Sequence, residues 1–321
     1  MESMVQKRGI AMAAVMVLTI LGITLPIPTT AMANVPIVRT FEGASLNWSG
    51  YAVSVSDVTK VTGTFSVPTV SGPGSVDGLA TDVSVWVGID GYTSGTVEQV
   101  GVSGSYDEKT GTASYYAWWE LYPRFSMPIR AMTVQADDVI TATVEYLGGS
   151  SYKLSIEDVT SGRSFSTVAH AAEGGPNVPQ RNSAEWIVER AATIYEGYLT
   201  ILPLASFTPV QYYIIEGAYF TVGDDCPQPL QYAVNTYEQY TGEPAPSLPY
   251  WDSIYIVGYN SDTGQYDLAL DETSPVTFNA FTITFIDNGA PIPLSEIETS
   301  WTRTSVFPSF LVTHDSIAFG A

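Results

Sequence analysis

The sequence predicts an all-β fold, an antiparallel sandwich of two sheets, on three observations. Segments rich in Val, Ile, Thr and aromatic residues recur from about residue 47 onward, and these residues favour strands. Gly, Pro, Ser, Asn and Asp separate the segments at short intervals, as turns do. Beyond the first 33 residues, no stretch sustains a helical period over several turns. Many short strands of alternating pattern are typical of a β-sandwich.

The first 33 residues have the pattern of a signal peptide. Lys7 and Arg8 precede a long apolar run, and Ala31-Met32-Ala33 offers small residues for cleavage. We therefore expect a mature chain that begins near Asn34, a secreted, extracellular protein, and no membrane association after cleavage. An uncleaved membrane anchor is the alternative, because the apolar run lies near the lower limit of a membrane span.

The strand segments then follow in order along the chain. They are VTGTFSVPTV, TDVSVWVGID, TASYYAWWELYP, MTVQADDVITATVEYL, YKLSIEDV, SAEWIVER and FTITFI. No block recurs at fixed spacing, which argues against a propeller or a solenoid. We expect a short segment at 34–46 and then one sandwich domain at 47–321. The polar, tyrosine- and proline-rich stretch near 223–250 is predicted to be a long surface loop inserted in that domain.

Charge and cysteine content restrict the function further. The 321 residues include 33 acids and 12 bases, which gives a net charge of −21. So acidic a chain opposes binding to phosphate backbones, and nucleic acid is excluded as a partner. With a sequence pI near 4.1, self-repulsion fades in acid, so the composition suits an acidic medium. A single cysteine, Cys226, rules out a disulfide within the chain.

The chain lacks the residues that most known catalytic arrangements require. The chain has two histidines and no G-x-S-x-G motif, so a histidine-based triad is disfavoured. Cys/His metal ligation fails for the same shortage, and neither a calcium loop nor a phosphate-binding glycine loop is present. Catalysis would therefore use carboxylates, amides and aromatic side chains. We expect a monomer that needs no cofactor and no metal.

The period of two in a strand places acids beside aromatic or small residues on one face of three separate segments. These sets are Trp86, Gly88 and Asp90; Tyr116, Trp118 and Glu120; and Glu185 and Glu189. A solvated face would explain one such set. Three sets that include tryptophans favour a groove with an acidic floor. Periodicity does not choose between Glu185 and Glu189, because they share a face.

Seven motifs in order resemble those of the glutamic peptidases, or eqolisins, over roughly residues 47–217. They are NWSGYAV, VTGTFSVP, WVGIDG, EQVG, YYAWWELYP, NSAEWIVER and LPLASFTPV. The resemblance implies a sandwich of two bent antiparallel sheets, related to the legume-lectin and glucanase architecture. It also implies that the concave sheet binds an extended polypeptide substrate.

The same resemblance implies a catalytic pair. The glutamine of EQVG is Gln99, and the last glutamate of EWIVE is Glu189. Four more positions match residues that line the family's groove: Trp48, Trp86, Asp90 and Glu120. The resemblance thus implies a secreted acid endopeptidase that pepstatin does not inhibit. Several relatives have an aspartate where this chain has Tyr116.

These residue types suit amide hydrolysis. An ionised Glu189 can take a proton from water and return it to the leaving nitrogen. Gln99 cannot titrate, but its NH₂ group can donate a hydrogen bond to the oxyanion. An ordinary glutamate has a pKa of about 4.3, which agrees with acidic operation.

Two other functions fit the same predicted fold. A carbohydrate-binding, lectin-like module would use the aromatic residues alone. A glycosidase would use two carboxylates such as Glu120 and Glu189, about 5–5.5 Å apart if retaining and roughly 6.5–9.5 Å apart if inverting. A glutamine close to one glutamate, with a water molecule between them, would favour the peptidase.

Overall fold

Strands and turns account for the parts of the chain that the structure, a computed structural model, describes. These are residues 41–72, 80–92, 94–195, 198–213, 219–224, 228–229, 250–260, 262–263, 265–274, 280–291, 310–313 and 316–319. None of them forms a helix that could cross a membrane. The predicted signal peptide, Cys226 and most of the predicted loop near 223–250 lie outside the described residues.

The strands in chain order are β1 Phe41–Ser45, β2 Trp48–Ser54, β3 Val58–Ser66, β4 Val70–Ser71, β5 Thr81–Ile89, β6 Val97–Asp107, β7 Thr112–Tyr122, β8 Met127–Pro128, β9 Val139–Gly148, β10 Ser151–Asp158, β11 Arg163–His170, β12 Ser183–Glu189, β13 Ala192–Tyr195, β14 Tyr198–Ile201, β15 Ser206–Phe207, β16 Val210–Tyr213, β17 Tyr219–Val222, β18 Gln228–Pro229, β19 Tyr250–Asn260, β20 Gln265–Thr273, β21 Ala280–Pro291, β22 Phe310–Thr313 and β23 Ser316–Phe319.

Sheet 1 has the order β1-β19-β2-β12-β5-β6-β7-β8. Every pair is antiparallel except β1 and β19, which are parallel. Sheet 2 runs β11-β10-β9-β3 and continues through β16 to β21, β20 and β19, with β17 also paired to β3. Strand β19 therefore belongs to both sheets: residues 250–254 pair with β2, and residues 257–260 pair with β20.

Apolar side chains of the two sheets meet in one large core. Val85, Val87, Trp186 and Val188 point from sheet 1 into this core, where Phe65 is among the residues of sheet 2 that they join. The residues between them on β5 and β12 belong to a separate cluster, on the opposite face of sheet 1. Alternation along the strands thus gives sheet 1 an inner face toward sheet 2 and an outer face away from it.

Polar groups that enter the core find partners there. The Trp186 indole donates to the carbonyl of Thr62 at 2.8 Å. The Tyr212 hydroxyl lies 2.7 Å from the carbonyl of Trp86 and 3.0 Å from that of Ile187. These contacts connect sheet 2 to the strands of sheet 1 that carry the candidate site. The predicted antiparallel β-sandwich is confirmed.

One predicted strand begins later in the structure, and one observed strand was not predicted. The segment beginning at Met132 becomes strand only at Val139, because residues before it turn through Asp137, whose φ is 67°. Strand β6 was not among the predicted strands, although it carries Gln99. Its glycines, Gly101 and Gly104, lower the strand propensity that a sequence pattern detects.

Candidate active site

The outer face of sheet 1 collects the predicted site residues in aligned rows, because antiparallel strands place opposed side chains on the same face. One row contains Glu185, Gly88, Gln99 and Glu120; the next contains Ile187, Trp86, Gly101 and Trp118; the third contains Glu189, Ser84, Ser103 and Tyr116. Trp48 lies opposite Glu189 on β2. The structure therefore brings Trp48, Trp86, Gln99, Glu120 and Glu189 onto one surface.

Nitrogen donors surround the carboxyl group of Glu189. The Trp86 indole donates to Oε2 at 2.7 Å, and the Asn47 amide donates to Oε1 at 3.2 Å. Burial, followed by the negative charge of Glu120, raises the pKa of Glu189 to about 8, although hydrogen bonds from Trp86, Trp48 and Asn47 oppose that rise. The donors therefore stabilise the ionised carboxylate against the cost of burial.

Gln99 and Glu120 form a second pair on this face. The Gln99 Nε2 donates to Glu120 Oε2 at 2.6 Å. Burial raises the pKa of Glu120 to about 7, and the Gln99 hydrogen bond opposes that rise. The Gln99 Oε1 is buried and has no hydrogen-bond partner among the described residues. Glu120 thus fixes one end of the carboxamide and leaves the other end to a ligand.

The two tryptophans pack edge to face, with ring centroids of Trp48 and Trp86 5.0 Å apart and the planes at 76°. Trp86 is fully buried. A Cβ on Gly101 would come within 2.2 Å of the Val85 carbonyl oxygen and 2.5 Å of the Trp86 Cβ, so glycine is required beside this ring. The packing sets the indole where it can donate to Glu189.

Asp90 has a different environment from the one that strand alternation predicts. Strand β5 ends at Ile89, and Asp90 has a φ of 69°. Its carboxylate accepts backbone N–H groups of Gln180, Arg181 and Asn182 at 2.7–2.9 Å. Burial raises the pKa of Asp90, and the three N–H groups oppose that rise. Asp90 therefore holds the segment that leads into β12.

Two more glutamates near this site are completely buried. Glu185 lies on the outer face and Glu98 lies next to Gln99 on β6, and their carboxyl oxygens have no hydrogen bond of normal geometry among the described residues. Burial raises the pKa of Glu185 well above its usual range. Burial, followed by the charges of Asp90 and Glu185, does the same to the pKa of Glu98. Both therefore hold protons in acid.

Sequence reasoning missed Asn47 as a site residue. It precedes Trp48 in NWSGYAV and formally begins a glycosylation sequon, but it is 5% exposed and its amide contacts Glu189. A glycan would remove that contact. The sequence signal for Asn47 was its place in the first motif, NWSGYAV. Because Asn47 lies before β2 begins, the strand period does not assign it to a face.

Metal and histidine chemistry find little support in the described part of the chain. It contains no group of three or more His, Cys, Asp or Glu side chains arranged to hold a metal ion. His170 lies at the end of β11 in sheet 2, where its Nδ1 is 3.0 Å from the Ser151 hydroxyl. It is absent from the outer face of sheet 1.

Fold and site together define a class: a β-sandwich protein whose outer face carries a partly buried carboxyl group, a carboxamide and tryptophan donors. The chain belongs to the Peptidase A4 family, the eqolisins, whose family model matches residues 46–224.

Two relatives share substantial sequence with the chain. Aspergillopepsin-2 of Aspergillus niger is 36% identical over 167 residues, which is 47% of this chain and 57% of that protein. Scytalidopepsin B of Scytalidium lignicola is 31% identical over 166 residues, 51% of this chain and 59% of that protein. The chain thus matches less than two thirds of the length of either relative.

A solved structure gives the same fold. Scytalido-glutamic peptidase, crystallised with a peptide-based transition-state analogue, superposes with a TM-score of 0.57 at 22% identity. The alignment covers 75% of this chain and 98% of that one. At this identity, the likeness concerns the architecture.

Proposed function

We propose that the protein is an endopeptidase that hydrolyses peptide bonds with Gln99 and Glu189. The observation that carries the proposal is the carboxyl group of Glu189, partly buried and held by the Trp86 and Asn47 N–H groups on the same face as Gln99. Membership of the Peptidase A4 family supports a peptidase over a lectin-like module or a glycosidase. The substrates are polypeptides.

In the proposed reaction, the ionised Glu189 takes a proton from a water molecule while the water oxygen attacks the scissile carbonyl carbon. The resulting tetrahedral intermediate collapses as the C–N bond breaks, and Glu189 returns the proton to the departing nitrogen. Water is consumed, and one new carboxyl group and one new amine are formed. The N–H donors around Glu189 keep its carboxylate oriented throughout.

Gln99 stabilises the developing oxyanion in this scheme. One of its two amide hydrogens is directed at Glu120, and the second is available to the substrate oxygen. Its partnerless Oε1 can accept a hydrogen bond from the attacking water. Glu120 positions the carboxamide, and the packed rings of Trp48 and Trp86 lie beneath the substrate groove. Loss of an oxyanion donor typically lowers kcat about 10²–10³-fold.

Two opposing effects determine the proposed working pH. Glu189 must be ionised to act as a base, and because burial raises its pKa to about 8, activity increases as pH rises through the acid range. Several other buried carboxyl groups become charged over the same interval, which destabilises the fold. An optimum on the acid side of neutrality is therefore proposed, in a secreted monomer with one sandwich domain at 47–321.

The test is digestion of an unfolded protein substrate across roughly pH 2 to 8 with pepstatin present, by the wild type and Glu189→Gln. We expect pepstatin-resistant cleavage by the wild type and its loss in the variant, because a carboxamide cannot accept the proton. Glu157→Gln is the matched control, since Glu157 is exposed on β10 of sheet 2. It should cleave like the wild type.

Circular dichroism must show that all three proteins are folded. No cleavage by the folded wild type at any pH would reject the peptidase, and binding to glycans would be examined instead. Cleavage that survives Glu189→Gln would retain the activity and move the base elsewhere, with Glu185 tested next.

A further inference from the structure

The outer face of sheet 1 is polar on the side of Glu189 that lies away from Gln99. The row of Glu189 contains Ser84, Ser103 and Tyr116, and the row beyond it pairs Asp82 with Ser105. None of these residues has a part in the proposed reaction. The row next to Glu189 on the side toward Gln99 contains Trp86 and Trp118.

Hydrogen bonds join these side chains into one network. The Ser105 hydroxyl donates to Asp82 Oδ2 at 2.5 Å, and the Ser84 hydroxyl lies 3.4 Å from Oδ1. The Ser84 and Ser103 hydroxyls are 2.6 Å apart. The phenol group of Tyr116 interacts with Ser103. The network thus runs from the buried carboxyl group of Asp82 to the exposed side chain of Tyr116.

The sizes and exposures of these side chains are those expected of a substrate-binding subsite. Serines occupy the positions where the neighbouring row has Trp86 and Trp118, so the side chains of this row are much shorter. Asp82 is 3% exposed, whereas Tyr116 is 42% exposed and Ser105 is partly exposed. A tyrosine so exposed gains little from folding, but it can contact a ligand that enters beside Glu189.

The base of the network carries no compensating cation. Among the described residues, neither lysine nor arginine forms an ion pair with Asp82. Burial raises the pKa of Asp82 to about 6, and the hydrogen bonds from Ser105 and Ser84 oppose that rise. In acid, the carboxyl group is therefore neutral, and it can both donate and accept hydrogen bonds. A carboxamide side chain matches this behaviour, since it also donates and accepts.

We infer that Tyr116 and Ser105 form a specificity subsite that binds a carboxamide-bearing side chain, such as glutamine, of the peptide substrate. Asp82 is a positioning residue that holds the serine hydroxyls of this subsite. The inference rests on the proposed peptidase function and adds a preference within it. A methionine of similar length could not hydrogen-bond to these hydroxyls, whose remaining acceptor positions it would shield from water, and that difference gives the discrimination.

The experiment uses one peptide series, with glutamine, methionine or glutamate placed in turn at each position flanking the cleaved bond. Measured at the acid optimum, the wild type should prefer glutamine to methionine at one position by about tenfold in kcat/KM. Tyr116→Phe should reduce that ratio toward one without changing cleavage of the methionine peptide. Asp82→Ala should reduce it as well, and Asp82→Asn should largely restore it, because the amide still pairs with Ser105.

Tyr115→Phe is the matched control, because Tyr115 lies on the opposite face of β7 and contacts the Val70 N–H. It should retain the wild-type ratio, and thermal unfolding should show that each variant is folded. Cleavage with no glutamine preference, or a preference unchanged in Tyr116→Phe, would overturn the subsite and leave the peptidase intact. No cleavage of any peptide by the folded wild type would overturn both.

Discussion

At the scale of single residues, the nitrogen donors around Glu189 control its protonation. Burial favours the neutral acid, whereas the Trp86 indole, at 2.7 Å, favours the carboxylate. The balance between these effects decides how much of the proposed base is ionised at a given pH. Trp86 is therefore expected to act on the pH dependence of the reaction as well as on the groove.

Trp86→Phe should move the ascending limb of the kcat/KM profile to higher pH by about one unit. The phenyl ring cannot donate, and a hydrogen bond to a charged group contributes about 1.5 kcal/mol, which corresponds to about one pKa unit. Because the lost bond favoured the ionised form, the pKa of Glu189 rises.

Trp118→Phe is the control for this prediction, since the Trp118 indole N–H is buried on the same face without a hydrogen-bond partner among the described residues. It should leave the limb in place. If Trp86→Phe and the wild type gave the same pH profile, Glu189 would not be the group that titrates in the ascending limb.

Sequence reasoning at this scale succeeded where residues follow the strand period. It placed Glu120 with Trp118 on one face of β7 and Glu185 with Glu189 on one face of β12, because these strands are regular. It did not find Asn47, which precedes β2 and reaches Glu189 across 142 positions of sequence. Contacts of that kind depend on which strands become neighbours, and a local pattern carries no information about that.

At the scale of elements, Asp90 connects the end of β5 to the segment before β12. Three backbone N–H groups of residues 180–182 converge on its carboxylate. The segment would otherwise present unsatisfied donors next to the strand that carries Glu185 and Glu189. Asp90 is thus expected to stabilise the position of β12.

Asp90→Asn should lower the free energy of unfolding by about 1–3 kcal/mol, because an NH₂ group replaces one acceptor oxygen and leaves buried backbone N–H groups without an acceptor. Asparagine tolerates the left-handed backbone, so the loss reports the hydrogen bonds. Urea unfolding at one pH measures it.

The matched control is Asp137→Asn, at an exposed position with a φ of 67°. Its change should stay within about 0.5 kcal/mol. A comparable loss in both variants would assign the effect to backbone conformation and not to the contacts of Asp90.

Element prediction failed most clearly for β6 and β11. Gly101 and Gly104 weaken the strand pattern of β6, yet Gly101 is glycine because Trp86 occupies the space of a side chain. Strand β11 has mostly exposed and polar residues, which resemble a loop in sequence. Both become strands because a neighbour supplies their hydrogen bonds, which is a tertiary effect.

At the scale of the whole molecule, buried carboxyl groups make stability depend on pH. Burial raises the pKa of Asp82 to about 6, those of Glu120 and Asp271 to about 7, and that of Glu189 to about 8. The folded state therefore binds more protons than the unfolded state between pH 4 and those values. The stability that these protonated groups contribute is fully present below about pH 4 and is lost as pH rises through their pKa values in the folded state.

The melting temperature should therefore fall steadily from about pH 4 to about pH 8, with each such group contributing up to about 1.4 kcal/mol per pH unit. Glu98→Gln should reduce the slope, because it removes one buried acid whose pKa is well above its usual range. Glu157→Gln, at the exposed site, should not. A melting temperature that increases toward neutral pH would contradict the proposed protonation of the interior.

Strand β19 has a practical consequence for where this protein can be cut. The family match ends at residue 224, but β19 begins at Tyr250, borders β2 beside Trp48 in one sheet and continues into the other. A recombinant fragment trimmed to the family match would expose the edge of β2 and lose β19, which among the described strands is the one common to both sheets. Expression boundaries should therefore extend at least through β21, to Pro291.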